Sequence, residues 1–207
     1  MANLPELEQR WRALCDAYEL QGQPCSWGEV AAAYGQPHRA YHNLEHIEHC
    51  LRLLDEHRSL AESPDVVELA IWFHDFYYDT RAKDNEARSA DLARECLGQS
   101  AGCLASQVAS LILATQHTGE ALSGDAALMV DIDLAILGSS VDAYNAYVAK
   151  IRQEYNWVEP DAYREGRSGV LRGFLKRSRI YQSGAFDGVE RQARQNIERE
   201  LATYMVQ

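Results

Sequence analysis

The sequence predicts an all-α fold, and three observations carry that reading. Apolar residues recur at spacings of three and four through most of the chain, helix starts and stops punctuate those runs, and no stretch alternates apolar and polar residues for long enough to make a strand. At 207 residues the chain has the length of one domain. The expectation is a single bundle over 1–207, with a core at about 38–140 and C-terminal helices at 141–207 packed on it.

Leu4, Leu7, Trp11, Leu14 and Tyr18 repeat on one helical face and define a first amphipathic helix. Ser26 followed by Glu29 reads as a capping box for a short helix that Gly35 closes. Pro37 forces an extended entry, after which Asn43 caps a helix with the stripe Leu44, Ile47, Leu51 and Leu54. Ser63 and Pro64 open the next helix, whose apolar run from Val66 to Phe73 predicts a central, buried position. Asp84 caps a helix at roughly 85–97, Leu104 to His117 form another, and Ala126 to Leu137 a further one ended by Gly138. Later helices are expected at about 141–155, 161–181 and 188–205, the last with Val189, Ala193, Ile197, Leu201 and Tyr204 in register. Gly119 to Asp125 and Ser183 to Gly188 read as exposed loops.

The formal charge of -11 opposes general binding to nucleic-acid backbones, which need a basic face. The sign reverses locally: Lys150, Arg152, Arg164, Arg167, Arg172, Lys176, Arg177 and Arg179 fall within one stretch with fewer acids, a surface that could face a phosphate. Cysteines 15, 25, 50, 96 and 103 contain no C-x-x-C pair and fit neither a disulfide framework nor a thiolate zinc site; reduced core residues of a cytoplasmic protein are expected. The first ten residues lack the pattern of a signal peptide, and no apolar run reaches the roughly 18 residues of a membrane span.

The chemistry concentrates at three places. His42 and His46 are one helical turn apart, so both imidazoles share a side. His74 and Asp75 follow the apolar Leu69 to Phe73 segment, which delivers two ionisable groups into or near the interior. Leaving such groups unpaired costs about 2–7 kcal/mol each, and more for a charge, a penalty that a shared cation removes. Asp131 and Asp133 stand among Leu128, Met129, Val130, Ile132 and Leu134 under the same constraint. Residues two apart on a helix point about 200° away from each other, so only one of the two can face a common site. The residues that could share one cation are therefore the His42 and His46 pair, His74, Asp75 and either Asp131 or Asp133. Imidazole and carboxylate without thiolate suit manganese, zinc, iron, cobalt, nickel or magnesium, one ion per chain. Taken singly, each feature has a plainer reading: a helical histidine pair is commonly structural, Trp72, Tyr77 and Tyr78 are commonly core, and His38, His49 and His57 read as surface residues.

Three segments carry a resemblance: Tyr41-His42-Asn43-Leu44-Glu45-His46-Ile47, then Trp72-Phe73-His74-Asp75, then Asp131-Ile132-Asp133-Leu134. In this order they resemble the H...HD...D signature of the HD-domain superfamily. The first is also similar to the Y-H-N-x-x-H segment of cyclic nucleotide phosphodiesterases, which implies a ligand role for His46 and a proton-donor role for His42. Nearly the whole chain, including Asp84-Asn85-Glu86 through Ser89-Ala90, Asp133 to Gly138 and Arg152-Gln153-Glu154-Tyr155, is similar to a bacterial group described as predicted metal-dependent HD phosphohydrolases. The resemblance implies an HD-type bundle with the metal between central helices, hydrolysing a small phosphate ester or nucleotide. It favours Asp133 slightly over Asp131. The chain departs from the phosphodiesterases in lacking, apart from His117, the extra histidines of a second metal site.

The resulting expectation is an enzyme in which His42 is the general acid, Asp75 and Glu86 assist catalysis, and His117, Arg152 and Arg167 contact a small anionic phosphate-containing substrate. The rival expectations are a non-catalytic metal- and nucleotide-binding sensor module and an HD-type di-iron oxygenase.

Overall fold

The structure is a computed structural model that describes residues 2–20, 26–98 and 102–205; Cys25 lies outside them. It is all-helical, with no strand among the described residues. The helices are α1 (Leu4–Tyr18), α2 (Trp27–Tyr34), α3 (Leu44–His57), α4 (Pro64–Phe73), α5 (Asn85–Leu97), α6 (Gly102–Ala114), α7 (Gly124–Asp133), α8 (Val141–Glu154), α9 (Pro160–Lys176) and α10 (Glu190–Met205).

Helix α4 is the centre. Every residue from Val66 to Phe73 is buried, and the helix packs against α3, α5, α6 and α7. Its one charged buried residue, Glu68, is matched by Arg10 of α1, whose Nε lies 2.7 Å from Oε1. The same guanidinium reaches Asp55 at 2.7 and 2.9 Å, which ties α1, α3 and α4 together. Trp11 is 1 % exposed and stands 5.3 Å from the Trp72 ring and 5.6 Å from the Phe73 ring, bracing the segment that leads into His74. Leu4, although in the sequence stripe, is 49 % exposed at the start of α1. The C-terminal helices join through the 3-10 turn Leu134–Gly138, against which both α8 and α10 pack; α10 also packs on α9. A Cβ at Gly138 would fall 2.8 Å from Val189 Cγ2 and 2.9 Å from the Tyr181 hydroxyl, so glycine is needed for that close approach.

The capping box at Ser26 and the Asn43 cap form as the sequence predicts. Ser63 and Asp84 make no side-chain cap. At Ser63 the backbone N–H is instead taken by Asp125 at 2.9 Å, and at the start of α5 Asn85 bonds both the N–H and the carbonyl of Asp79. Three predicted helices are too long. Helix α6 ends at Ala114, where the Thr115 hydroxyl donates to the Ile112 carbonyl at 2.7 Å and tightens the last turn. Helix α7 ends at Asp133 and tightens into the 3-10 turn. Helix α9 stops at Lys176 although buried Ile180 and Tyr181 continue its apolar pattern. Beyond that end the backbone N–H groups find carboxylates: Glu190 accepts from Ile180 and Tyr181, and Asp131 accepts from Gln182 and Ser183. Of the described cysteines, Cys50 and Cys96 are core residues, Cys15 is half-buried and Cys103 is exposed on the first turn of α6. No helix among the described residues is long and apolar enough to cross a membrane.

Because Trp11 is the anchor of α1 on the central helix, Trp11→Ala is expected to lower unfolding free energy by about 3–5 kcal/mol, read as a lower urea midpoint.

Candidate metal centre and adjoining cleft

The ends of α4 and α7 and the first turn of α3 meet at one point. The imidazole Nε2 atoms of His46 and His74 face each other at 3.2 Å. Asp75 Oδ2 stands 3.1 Å from His74 Nε2 and 3.7 Å from His46 Nε2. Asp133 Oδ1 stands 3.2 Å from His46 Nε2 and 3.6 Å from His74 Nε2. The ligand-type atoms of His46, His74 and Asp75 all lie within 4.8 Å of one another, a group that could hold a metal ion.

The donor set fits such an ion on three counts. Two nitrogens bound at about 2.0–2.1 Å to one tetrahedral centre stand about 3.3 Å apart, close to the spacing of the two imidazoles. His74 Nδ1 lies 2.8 Å from the Ile71 carbonyl, so it carries the proton and leaves the Nε2 lone pair directed at the cluster. Asp75 Oδ2 is buried without a hydrogen-bond partner, an acceptor whose desolvation a cation would offset. The Cys50 Sγ is 3.8 and 3.7 Å from Nδ1 and Nε2 of His46, hence over the ring rather than at the end of a lone pair.

Electrostatics in the protein alone point the same way. Burial opposes charge on His74, but Asp75 and Asp133 outweigh it and lift the imidazole well above its ordinary pKa. Burial likewise opposes charge on Asp133, and His117, His46 and His74 outweigh it, holding the carboxyl well below its ordinary range. Positive charge is favoured at this point, whether it is a proton or a metal.

Asp133 therefore faces the cluster, and Asp131 does not. Asp131 is fully buried two residues earlier on α7, where its carboxylate accepts from the N–H groups of Gln182 and Ser183 and from the Ser183 hydroxyl at 2.6 Å. It anchors the chain beyond α9. The second oxygen of Asp133 is 3.0 Å from His117 Nε2. His117 lies past the end of α6 in the left-handed region at φ 54°, and Arg177 donates to its carbonyl at 2.6 Å. A non-glycine residue held there costs about 1–2 kcal/mol, which those two contacts sustain.

Beside the cluster His42 forms a second unit. Its Nδ1 is 2.7 Å from Glu154 Oε2, and its ring stacks 4.2 Å from that of Tyr78. Glu154, buried at the last turn of α8, also accepts from the N–H of Tyr41 at 2.7 Å, the N–H of His42 at 2.9 Å and the Tyr78 hydroxyl at 2.7 Å. Burial works against a charged His42, while Asp75 and Glu154 outweigh it and raise its pKa.

Arg39 joins the two units. Its buried guanidinium donates to the carbonyls of His42, Asp75 and Phe76 at 3.2, 2.6 and 2.8 Å. Sequence reading passed over both Arg39 and Glu154: the first gives no spacing signal, and the second is 112 residues from its partner histidine. Tyr78, expected in the core, is instead the stacking partner of His42.

A cleft of about 490 Å³ opens from this corner, with His42, His117 and Asp133 in its wall and mainly aromatic and aliphatic side chains beyond. Arg167 lines it, but Nε and Nη2 bond the Glu200 carboxylate at 2.9 and 3.1 Å. Arg152 does not line the cleft: it donates to the carbonyls of Tyr155 and Val158 and packs over the Tyr163 ring. Lys150, Arg164 and Arg179 pair with Glu45, Asp161 and Asp187, so much of the basic stretch is neutralised on the surface. Glu86 is half-buried in the first turn of α5, and no bond links it to the cluster among the described residues.

Comparison with known proteins finds no matching family model, no matching curated protein and no matching solved structure.

The two aspartates of α7 are separable by experiment. Asp131→Ala should lower stability by about 1–3 kcal/mol in urea unfolding while bound metal, measured by elemental analysis, is retained. Asp133→Ala should lose the metal; equal metal content in both variants would contradict the assignment.

Proposed function

We propose that the chain is a metal-dependent phosphohydrolase that cleaves a small phosphate ester with water. The observation that carries this reading is the convergence of His46, His74, Asp75 and Asp133 from distant segments, with a carboxylate-backed histidine, His42, beside them at the mouth of a cleft. The resemblance of the same segments to the H...HD...D signature supports it, as does the lack of thiolate in the donor set. A divalent cation in that set supplies Lewis-acid polarisation of a phosphoryl oxygen and makes water more acidic.

The chain's own groups account for the rest. In the overall reaction the oxygen of water bonds to phosphorus, the phosphorus–oxygen bond to the organic group breaks, and the departing oxygen takes up a proton to leave as an alcohol. His42 is the donor of that proton. With Nδ1–H held by Glu154, its Nε2 is the nitrogen left for the cleft, and the stacked Tyr78 ring fixes the plane of the imidazole. Asp133 would help hold the cation, with His117 fixing the orientation of its carboxylate through Oδ2.

Asp75→Ala is expected to remove both bound metal and metal-dependent hydrolysis of a generic phosphate ester; an Asp75→Ala protein with full activity rejects the scheme. His42→Asn separates chemistry from metal binding. It should retain metal yet lower kcat by about 10²–10⁴-fold in steady-state assays.

A further inference from the structure

The walls of the cleft say what kind of organic group it takes. We infer, building on the phosphohydrolase reading, that the substrate is a monoester carrying one phosphate on a compact, apolar, aryl-bearing group. The phosphate end is fixed by the cluster, since Asp133, His42 and His117 occupy one corner. Away from that corner the cleft runs along Tyr147, Tyr155, Ile151, Val158 and Phe174.

Several polar atoms in these walls already have partners, and two that lack one, the Tyr163 hydroxyl and His117 Nδ1, are buried out of reach of the open cleft. The Tyr78 hydroxyl donates to Glu154, the Tyr147 hydroxyl accepts from Arg167 at 3.2 Å, and Arg167 is neutralised by Glu200. A sugar entering here would give up hydrogen bonds to water and find few in return, which disfavours a polyhydroxylated group. A second or third phosphate would meet no unneutralised basic side chain in the wall. A flat apolar group faces neither penalty, and a volume of about 490 Å³ is in the range that holds small organic ligands.

Helix α9 adds the space. Ala162, Gly166 and Val170 follow at one-turn intervals along the cleft, and a Cβ built at Gly166 meets nothing within 4 Å. Glycine inside a helix is unfavourable by about 1 kcal/mol against alanine. Here it leaves open room where a larger side chain would project over the cleft.

The test uses the full-length, manganese-loaded protein with esters that share a primary alkoxide leaving group: 2-phenylethyl phosphate, ethyl phosphate and glucose 6-phosphate, with ATP as the polyphosphate. Burial of the phenyl ring predicts kcat/KM for 2-phenylethyl phosphate about 100-fold above that for glucose 6-phosphate. In Gly166→Leu the ratio of kcat/KM for 2-phenylethyl phosphate to that for ethyl phosphate should fall about tenfold. Calorimetry with the non-hydrolysable 2-phenylethylphosphonate reads binding without turnover and should show tighter binding than methylphosphonate. Preferred hydrolysis of glucose 6-phosphate or ATP, or an unchanged ratio in Gly166→Leu, overturns the inference and leaves the hydrolase reading standing. Preferential phosphonate binding with no ester turned over supports the ligand class and rejects hydrolysis. No turnover and no phosphonate preference overturns both.

Discussion

Two imidazoles and two carboxylates with ligand atoms 3.1 to 3.7 Å apart must be held in a largely apolar surrounding, and much of the architecture follows from that constraint. Such groups are tolerable only when they compensate one another or share a cation. Their backbones must also be fixed, because a small displacement would leave each group desolvated and alone. Helix α4 meets that need by being buried from Val66 onward and by ending just before His74, with the Trp72 carbonyl tied to Tyr34 and the Asp75 carbonyl beyond its end tied to Arg39. The tryptophans of α1 and α2 pack on Trp72 with tilted and edge-on rings, so this aromatic cluster supports the segment that leads into the same few atoms.

The cleft next to this cluster has two unlike ends. One carries ionisable side chains of both signs; the other is walled by aromatic and aliphatic groups, with the Tyr78 and Tyr147 hydroxyls and the Arg167 guanidinium satisfied within the protein. Basic side chains nearby are taken up in local ion pairs rather than forming an open basic surface. A molecule with one anionic end and one apolar end is oriented by that contrast before any specific contact forms.

Much of the fold was legible because helices here are written in caps and spacing. Asn43, Pro64 and the Ser26–Glu29 pair mark starts that the structure keeps. Ends were harder. Ile180 and Tyr181 preserve a helical apolar rhythm after the backbone has already left the helix, since a buried extended segment needs apolar side chains as much as a helix does. The ligand positions could be narrowed from the cost of burying ionisable groups, and the opposed directions of residues 131 and 133 left one binary choice that only the fold resolves. Glu154 and Arg39 were not legible in this way. Their importance lies in partners 112 and 36 residues away, and no local pattern records such a distance.

Three of the bonds Arg39 makes go to main-chain oxygens of the segments that present His42 and Asp75, and a fourth goes to the Gln36 side chain. Exposed positions of these loops that neither serve the site nor touch Arg39 can thus change side chain while the loops keep their path. The guanidinium itself has no such latitude, because a lysine ammonium lacks the planar fork that reaches several carbonyls at once. Variation around this corner is therefore expected at exposed positions such as Pro37 and Asp79 and to be nearly absent at the residue that fastens the segments.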